Sequence, residues 1–192
     1  PSIGLYCGRN EGMPPKPIDE GLRSLLAEVH PGLHYISQSA MGVVSGGGPY
    51  RAQPQRFYFT QRATPKLHSE LGMPNIMTMD SLRAMMPESA MWPQGDMWGL
   101  HDFSLQGAQG GTSFRDTIEK NYGGASNVVD WVALAQFVNY DGYRAMFEAQ
   151  SRNRIGLLIW MSHPAWPSFV WQTYDYYFEP TAAYFGSKKG SE

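Results

Sequence analysis

The chain of 192 residues carries 17 acidic and 15 basic side chains, a formal charge of −2, and is 42% hydrophobic and 14% aromatic, the profile of one ordinary globular domain. Near-neutral charge leaves no basic face to release counterions from a phosphate backbone, which argues against a nucleic-acid partner, and no run of roughly eighteen apolar residues is present to span a membrane. A single cysteine, Cys7, excludes an internal disulfide framework and a zinc site built from several thiolates, and leaves the cellular compartment open.

The start, Pro1 to Cys7, has no basic or apolar leader pattern and reads as the beginning of an excised piece. Ile3 to Cys7 is an apolar run followed by Gly8, Asn10 and Gly12, the pattern of a buried strand entering a loop. Ile18, Leu22, Leu25, Leu26 and Val29 then recur at helical spacing, with Pro17 suited to a first helical position and His30-Pro31-Gly32 ending the pattern. His34 to Gln38 reads as a second strand, Ser45 to Tyr50 as a glycine-rich loop, Arg56 to Thr60 as a third strand and Lys66 to Glu70 as a fourth. A long loop region is expected from about Leu71 to Gly124, broken by a short helix near Ser81 to Met86 that Pro87 ends. Asn127 and Asp130 have capping spacing before a long amphipathic helix to about Ser151, and Ile155 to Trp160 is a final apolar strand.

Apolar strands alternating with helices predict a parallel sheet covered on both faces, either an open doubly wound sheet or part of an eight-stranded barrel. Both architectures place chemistry at the carboxyl ends of strands. Two carboxylates stand there: Glu11, just past the first strand, and Glu70, closing Leu67-His68-Ser69-Glu70. Cleavage of a glycoside with retention requires such a pair, one carboxyl to protonate the departing oxygen and one carboxylate to attack the anomeric carbon. The richness in Trp, Tyr and Phe suits loops that hold sugars or other flat ligands.

From Cys7 to the end the chain resembles glycoside hydrolase family 2. Asn10-Glu11 resembles the acid/base signature of that clan of barrel glycosidases, and His68-Ser69-Glu70-Leu71-Gly72-Met73-Pro74 the nucleophile segment. Met91-Trp92-Pro93, Trp98-Gly99-Leu100-His101, Gly156 to Met161, Ala165 to Ser168, Tyr174 to Tyr177 and Tyr184 to Lys189 are also similar to it, in the family's order. The likeness is greatest to the branch holding β-mannosidases, endo-β-mannosidases and exo-β-glucosaminidases. It implies an α/β fold, the C-terminal half of a (β/α)8 TIM barrel comprising strands four to eight, with residues 1–192 forming one partial catalytic domain.

The resemblance further implies Glu11 as acid and base, Glu70 as nucleophile, Asn10 as a donor to the sugar hydroxyl beside the reacting carbon, Tyr50 as a ring steadying the nucleophile, and Trp160 as the floor of the sugar subsite. Trp98 and His101, with Trp92 and Trp166, are candidates for the pocket wall. His68 shares a strand face with Glu70 and is a substrate contact or a satisfied interior histidine. Arg9 is a candidate partner for a carboxylate near the site.

The expected substrate is a terminal β-linked sugar, a mannoside or galactoside first; glutamate rather than aspartate after Asn10 departs from the exo-β-glucosaminidase pattern, which is kept as the alternative beside a non-catalytic carbohydrate-binding fragment. The expected partners are the carbohydrate, the missing first half of the barrel with the family's β-sandwich domains, and self-association through open sheet edges. No cofactor or metal is expected. His30 and His34 have helical metal spacing, but Pro31 and Gly32 break the shared face; Gly46 to Gly48 and Gly107 to Gly111 lack the lysine and hydroxyl of a phosphate loop; and no serine or cysteine elbow is present.

Overall fold

The computed structural model describes residues 2–62, 65–103, 111–151 and 156–192. Five short strands run parallel: β1 (Leu5–Cys7) pairs with β2 (His34–Ile36), and β3 (Val44–Ser45) pairs with β4 (Leu67–Leu71), which pairs with β5 (Leu157–Ile159). Each strand pairs with its neighbour in sequence within the two sheets, so the carboxyl ends point the same way within each sheet. Helix α1 (Lys16–Val29) connects β1 to β2. A short helix α2 (Gln55–Phe57), extended by a π-helical turn at Tyr58–Arg62, connects β3 to β4.

The third strand is two residues at Val44–Ser45, not Arg56 to Thr60. Arg-Phe-Tyr-Phe-Thr has strand composition, but Pro54 opens a helical turn that buries Tyr58 and packs Phe57 and Phe59 on the core. Packing overrides the local preference.

The expected long loop after β4 is largely helical, with α3 (Met79–Met85), α4 (Glu88–Met91), α5 (Asp96–Leu100) and α6 (Gly111–Tyr122). The segment Leu71 to Met77 is extended and wholly buried. Its backbone is satisfied by side chains from the long helix α7 (Val128–Ser151): Asn139 accepts from Ile76 N–H at 3.0 Å and donates to the Pro74 carbonyl at 2.7 Å, and the Tyr143 hydroxyl accepts from Met73 N–H at 3.3 Å. Asn127 caps α7 as its spacing predicts, accepting from Asp130 N–H at 2.9 Å.

The core lies between these elements. Trp98 stacks on Phe169 with centroids 4.6 Å apart and meets Trp131 edge-on, and Phe103 and Phe114 complete the aromatic cluster. Helix α8 (Ala182–Ser191) lies directly on α7: a Cβ on Gly186 would collide with the Tyr140 carbonyl, and one on Gly190 with that of Arg144. Among the described residues no helix is long and apolar enough to cross a membrane.

Candidate active site at the strand ends

The loop after β1 carries Asn10 and Glu11, both exposed. Glu11 has φ 46°, a left-handed conformation that costs a residue with a Cβ and therefore needs support from its surroundings. Ser39, in the loop after β2, supplies it. The Ser39 hydroxyl accepts from Glu11 N–H at 2.9 Å and donates to Asn10 Oδ1 at 3.0 Å, while its backbone N–H donates to the Arg9 carbonyl at 3.1 Å.

Glu70 stands near the end of β4, on the same face as His68, and only 7% of it is exposed. Strand alternation thus turns both inward. Tyr50, from the loop after β3, lies between the two acids. Its hydroxyl donates to Glu11 Oε1 at 3.2 Å, and its phenol is held protonated far above the usual range by burial, by the charge of Glu70 it also faces, and by Glu11.

The Glu70 carboxyl is itself raised above the ordinary 4.5: burial pushes it up, the Tyr50 hydroxyl pulls it down, and the adjacent Glu11 carboxyl pushes it up again. One oxygen, Oε1, is buried without a hydrogen-bond partner. The structure leaves Glu11 exposed and buries Glu70.

Tyr50 is clamped from three sides. The Gly48 carbonyl lies 3.2 Å from His68 Nε2, the Pro49 carbonyl accepts from Gly72 N–H at 3.3 Å, and the Tyr50 carbonyl accepts from Trp171 Nε1 at 3.2 Å with the two rings 5.4 Å apart. His68 is 1% exposed, and its Nδ1 lies 2.9 Å from the Ser45 hydroxyl. The buried imidazole therefore ties β4 to the end of β3 and to the loop that presents Tyr50, with both ring nitrogens within hydrogen-bond distance of a partner.

Trp160 follows β5, 44% exposed, its N–H donating to the Leu71 carbonyl at 3.0 Å. Its backbone carbonyl lies so close to Gly72 that any Cβ there would collide with it, so the open ring flanks the strand end that carries Glu70. Trp98 is not a wall of the site. It is 1% exposed, central to the core, and donates through Nε1 to the Met91 carbonyl at 3.1 Å; a large ring between short helices was buried, not presented. His101 stacks on Trp166 at 5.8 Å and lies 2.8 Å from the Pro167 carbonyl through Nδ1, tying α5 to the segment after β5. Arg9 donates to the Met13 carbonyl at 3.0 Å rather than to a carboxylate.

Two residues were missed from sequence, Ser39 and Trp171. Neither belongs to a motif, and each meets its partners across a long stretch of chain, so no local signal marked them. Gly107 to Gly110, part of the second glycine run, lies outside the described residues. Among the described residues no cluster of three metal-ligating side chains is present.

No protein-family model matches the chain. It is similar to the exo-β-D-glucosaminidases of Amycolatopsis orientalis, 35% identical over 128 residues (62% of this chain, 12% of the relative), and of Streptomyces avermitilis, 31% identical over 158 residues (76% and 18%). It is similar over its whole length, at 24% identity, to 25% of the mannosylglycoprotein endo-β-mannosidase of Lilium longiflorum.

Among solved structures, the exo-chitosanase of Amycolatopsis orientalis superposes on the entire chain with a TM-score of 0.85 and 28% identity, over 26% of that protein. The β-D-mannosidase of Dictyoglomus thermophilum does so at 0.80 and 18% identity over 27% of its length, a likeness of fold alone. The chain thus spans 12% to 27% of these proteins. The resemblance to family 2 glycosidases holds, and the five parallel strands are the C-terminal part of such a (β/α)8 barrel.

Proposed function

We propose that the chain carries the catalytic pair of a retaining β-glycosidase, with Glu11 as acid and base and Glu70 as nucleophile. The observation that supports this most directly is the Tyr50 hydroxyl set between carboxyls delivered by two different strand ends. In the first step the Glu70 carboxylate attacks the anomeric carbon as the glycosidic bond breaks, and Glu11 gives its proton to the departing oxygen. In the second, Glu11 takes a proton from water, whose oxygen attacks the same carbon and releases Glu70 from its ester. Tyr50 donates into the pair throughout, and the exposed Trp160 ring floors the sugar. Glu11, on the open side, meets the leaving group; Glu70, buried, meets only the sugar carbon.

The substrate is a terminal β-linked sugar. A β-mannoside remains in keeping with the sequence likeness to the endo-β-mannosidase of Lilium longiflorum. The similarity to exo-β-D-glucosaminidases gives the amino-sugar reading independent support, against the glutamate after Asn10. The rest of the barrel and the preceding domains, on this proposal, complete the sugar pocket and cover the free edges of β1 and β5; the 192-residue chain by itself is then inert or self-associates through those edges. Turnover of aryl β-mannoside and β-glucosaminide by the chain and by the full protein that contains it tests the reading. Turnover lost in Glu70→Gln supports it, and turnover indifferent to that change overturns it.

A further inference from the structure

We propose that Ser39 is the positioning residue of this site: its hydroxyl fixes which way the Asn10 amide faces and holds the backbone that aims Glu11. This deepens the two-glutamate reading and rests on it. The argument is one of donors and acceptors. The Ser39 O–H has a single proton, and it is given to Asn10 Oδ1 at 3.0 Å. The oxygen's lone pair accepts from Glu11 N–H at 2.9 Å.

With Oδ1 engaged, the Asn10 amide presents its NH2 donors outward. A substituent on the sugar carbon beside the reacting one is then recognised if it accepts a hydrogen bond, as a hydroxyl or an uncharged amine does. Without the Ser39 hydroxyl the amide is free to turn and offer its oxygen instead. Glu11 at φ 46° would also lose the bond that offsets its strained backbone.

Ser39 is linked to the other acid as well. Its carbonyl accepts from the Ser69 hydroxyl at 2.7 Å, and Ser69 immediately precedes Glu70 on β4. A Cβ on Gly46 would lie 2.5 Å from the same Ser69 hydroxyl and 3.0 Å from the same Ser39 carbonyl, so a glycine follows β3 where this link passes. One serine therefore spans the two strand ends that carry the pair.

The test compares an aryl β-glycoside that the full enzyme turns over with its 2-deoxy counterpart. Ser39→Ala is expected to lower kcat/KM about tenfold on the parent sugar, through Asn10 and Glu11 together, and less than threefold on the 2-deoxy sugar, where only the support of Glu11 is lost. Ser39→Thr, which keeps the hydroxyl, is expected to restore most of the loss. Equal losses on both sugars, or no loss on either, overturn the proposal while leaving the two-glutamate reading standing.

Should the wild-type enzyme hydrolyse no β-glycoside, that reading fails, and Ser39 is judged by 15N NMR of the chain. The Glu11 backbone amide and the Asn10 side-chain amide are expected to shift in Ser39→Ala and to return in Ser39→Thr. Unmoved resonances overturn the assignment.

Discussion

The two proposed catalytic acids sit in regions built on opposite principles. Around β4, α7 and α8, cohesion is apolar: Trp98, Phe114, Phe169 and Met146 are essentially inaccessible. Around β1 and α1 it is polar. Helix α1 buries none of its residues, and Ile18, Leu25 and Val29 are more than half exposed. What fastens α1 is a charged cluster, with Asp19 accepting from the Tyr35 hydroxyl at 2.7 Å and from Arg23 Nε at 3.1 Å, and Arg23 lying 4.8 Å over the Tyr35 ring. On the proposed roles, strand ends in different environments serve one reaction. A buried nucleophile and an open acid suit the two tasks, because one must meet only a carbon atom while the other must release a leaving group and admit water.

The comparison breaks first at the level of chemistry. In the full enzyme Glu70→Gln is expected to abolish turnover of every substrate, whereas Glu11→Ala spares aryl glycosides with activated leaving groups and recovers with added azide. Equal losses on activated and unactivated substrates would remove Glu11 from its role. A crystal structure of the full enzyme should also show the two carboxyls about 5–5.5 Å apart.

Next in size is packing. Trp98→Ala removes the ring at the centre of the aromatic cluster and is expected to cost about 3–5 kcal/mol, read from urea unfolding. Leu25→Ser on the bare face of α1 should fall within about 0.5 kcal/mol of wild type. If Leu25→Ser costs as much as a core truncation, α1 is not bare in solution, and something covers it there.

The two regions should also titrate in opposite senses. Glu70, raised above 4.5 by burial, binds its proton more readily folded than unfolded, so it favours the fold at low pH and weakens it as pH rises through its shifted value. Glu70→Gln should therefore raise Tm at neutral pH, with the gain vanishing as the pH falls below the ordinary carboxylate range. Asp19 is lowered from 3.8 by its bonds to Ser37, Tyr35 and Arg23. Its contribution is present above that value and is lost as pH falls below it, which hydrogen exchange of the α1 amides will show as loosening on acidification. Loosening of α1 on raising the pH instead would contradict the polar account of its docking.

Sequence legibility divides along the same line. Helices α1 and α7 stand out because their apolar positions recur at helical spacing and their starts carry Pro17 and Asn127, and strands β1 and β5 because they lie in short apolar runs bounded by glycine or polar residues. The strand of two residues, Val44–Ser45, has too few residues to show any period. Helix α3 answers to the short helix expected near Ser81 to Met86, whereas α4 and α5, of four and five residues, have too little length to show a period of their own. At the site, Glu11, Glu70 and Tyr50 were legible because strand ends and motif order mark them. The burial of Glu70 and the exposure of Glu11 were not, because they depend on what each strand packs against. Trp98 misled for a related reason, since a tryptophan in a loop-like stretch looks alike whether it faces a ligand or a core.

Trp171 holds the Tyr50 backbone from 121 residues further along the chain. The other two anchors, His68 and Gly72, are made earlier, so during synthesis both carboxylates emerge from the ribosome well before the residue that fixes the ring between them. The site is closed from its far end. A chain cut before Trp171 would keep every sequence motif of the pair, yet it would present Tyr50 on a loop with one of its three anchors gone, and so would separate possession of the catalytic groups from their alignment.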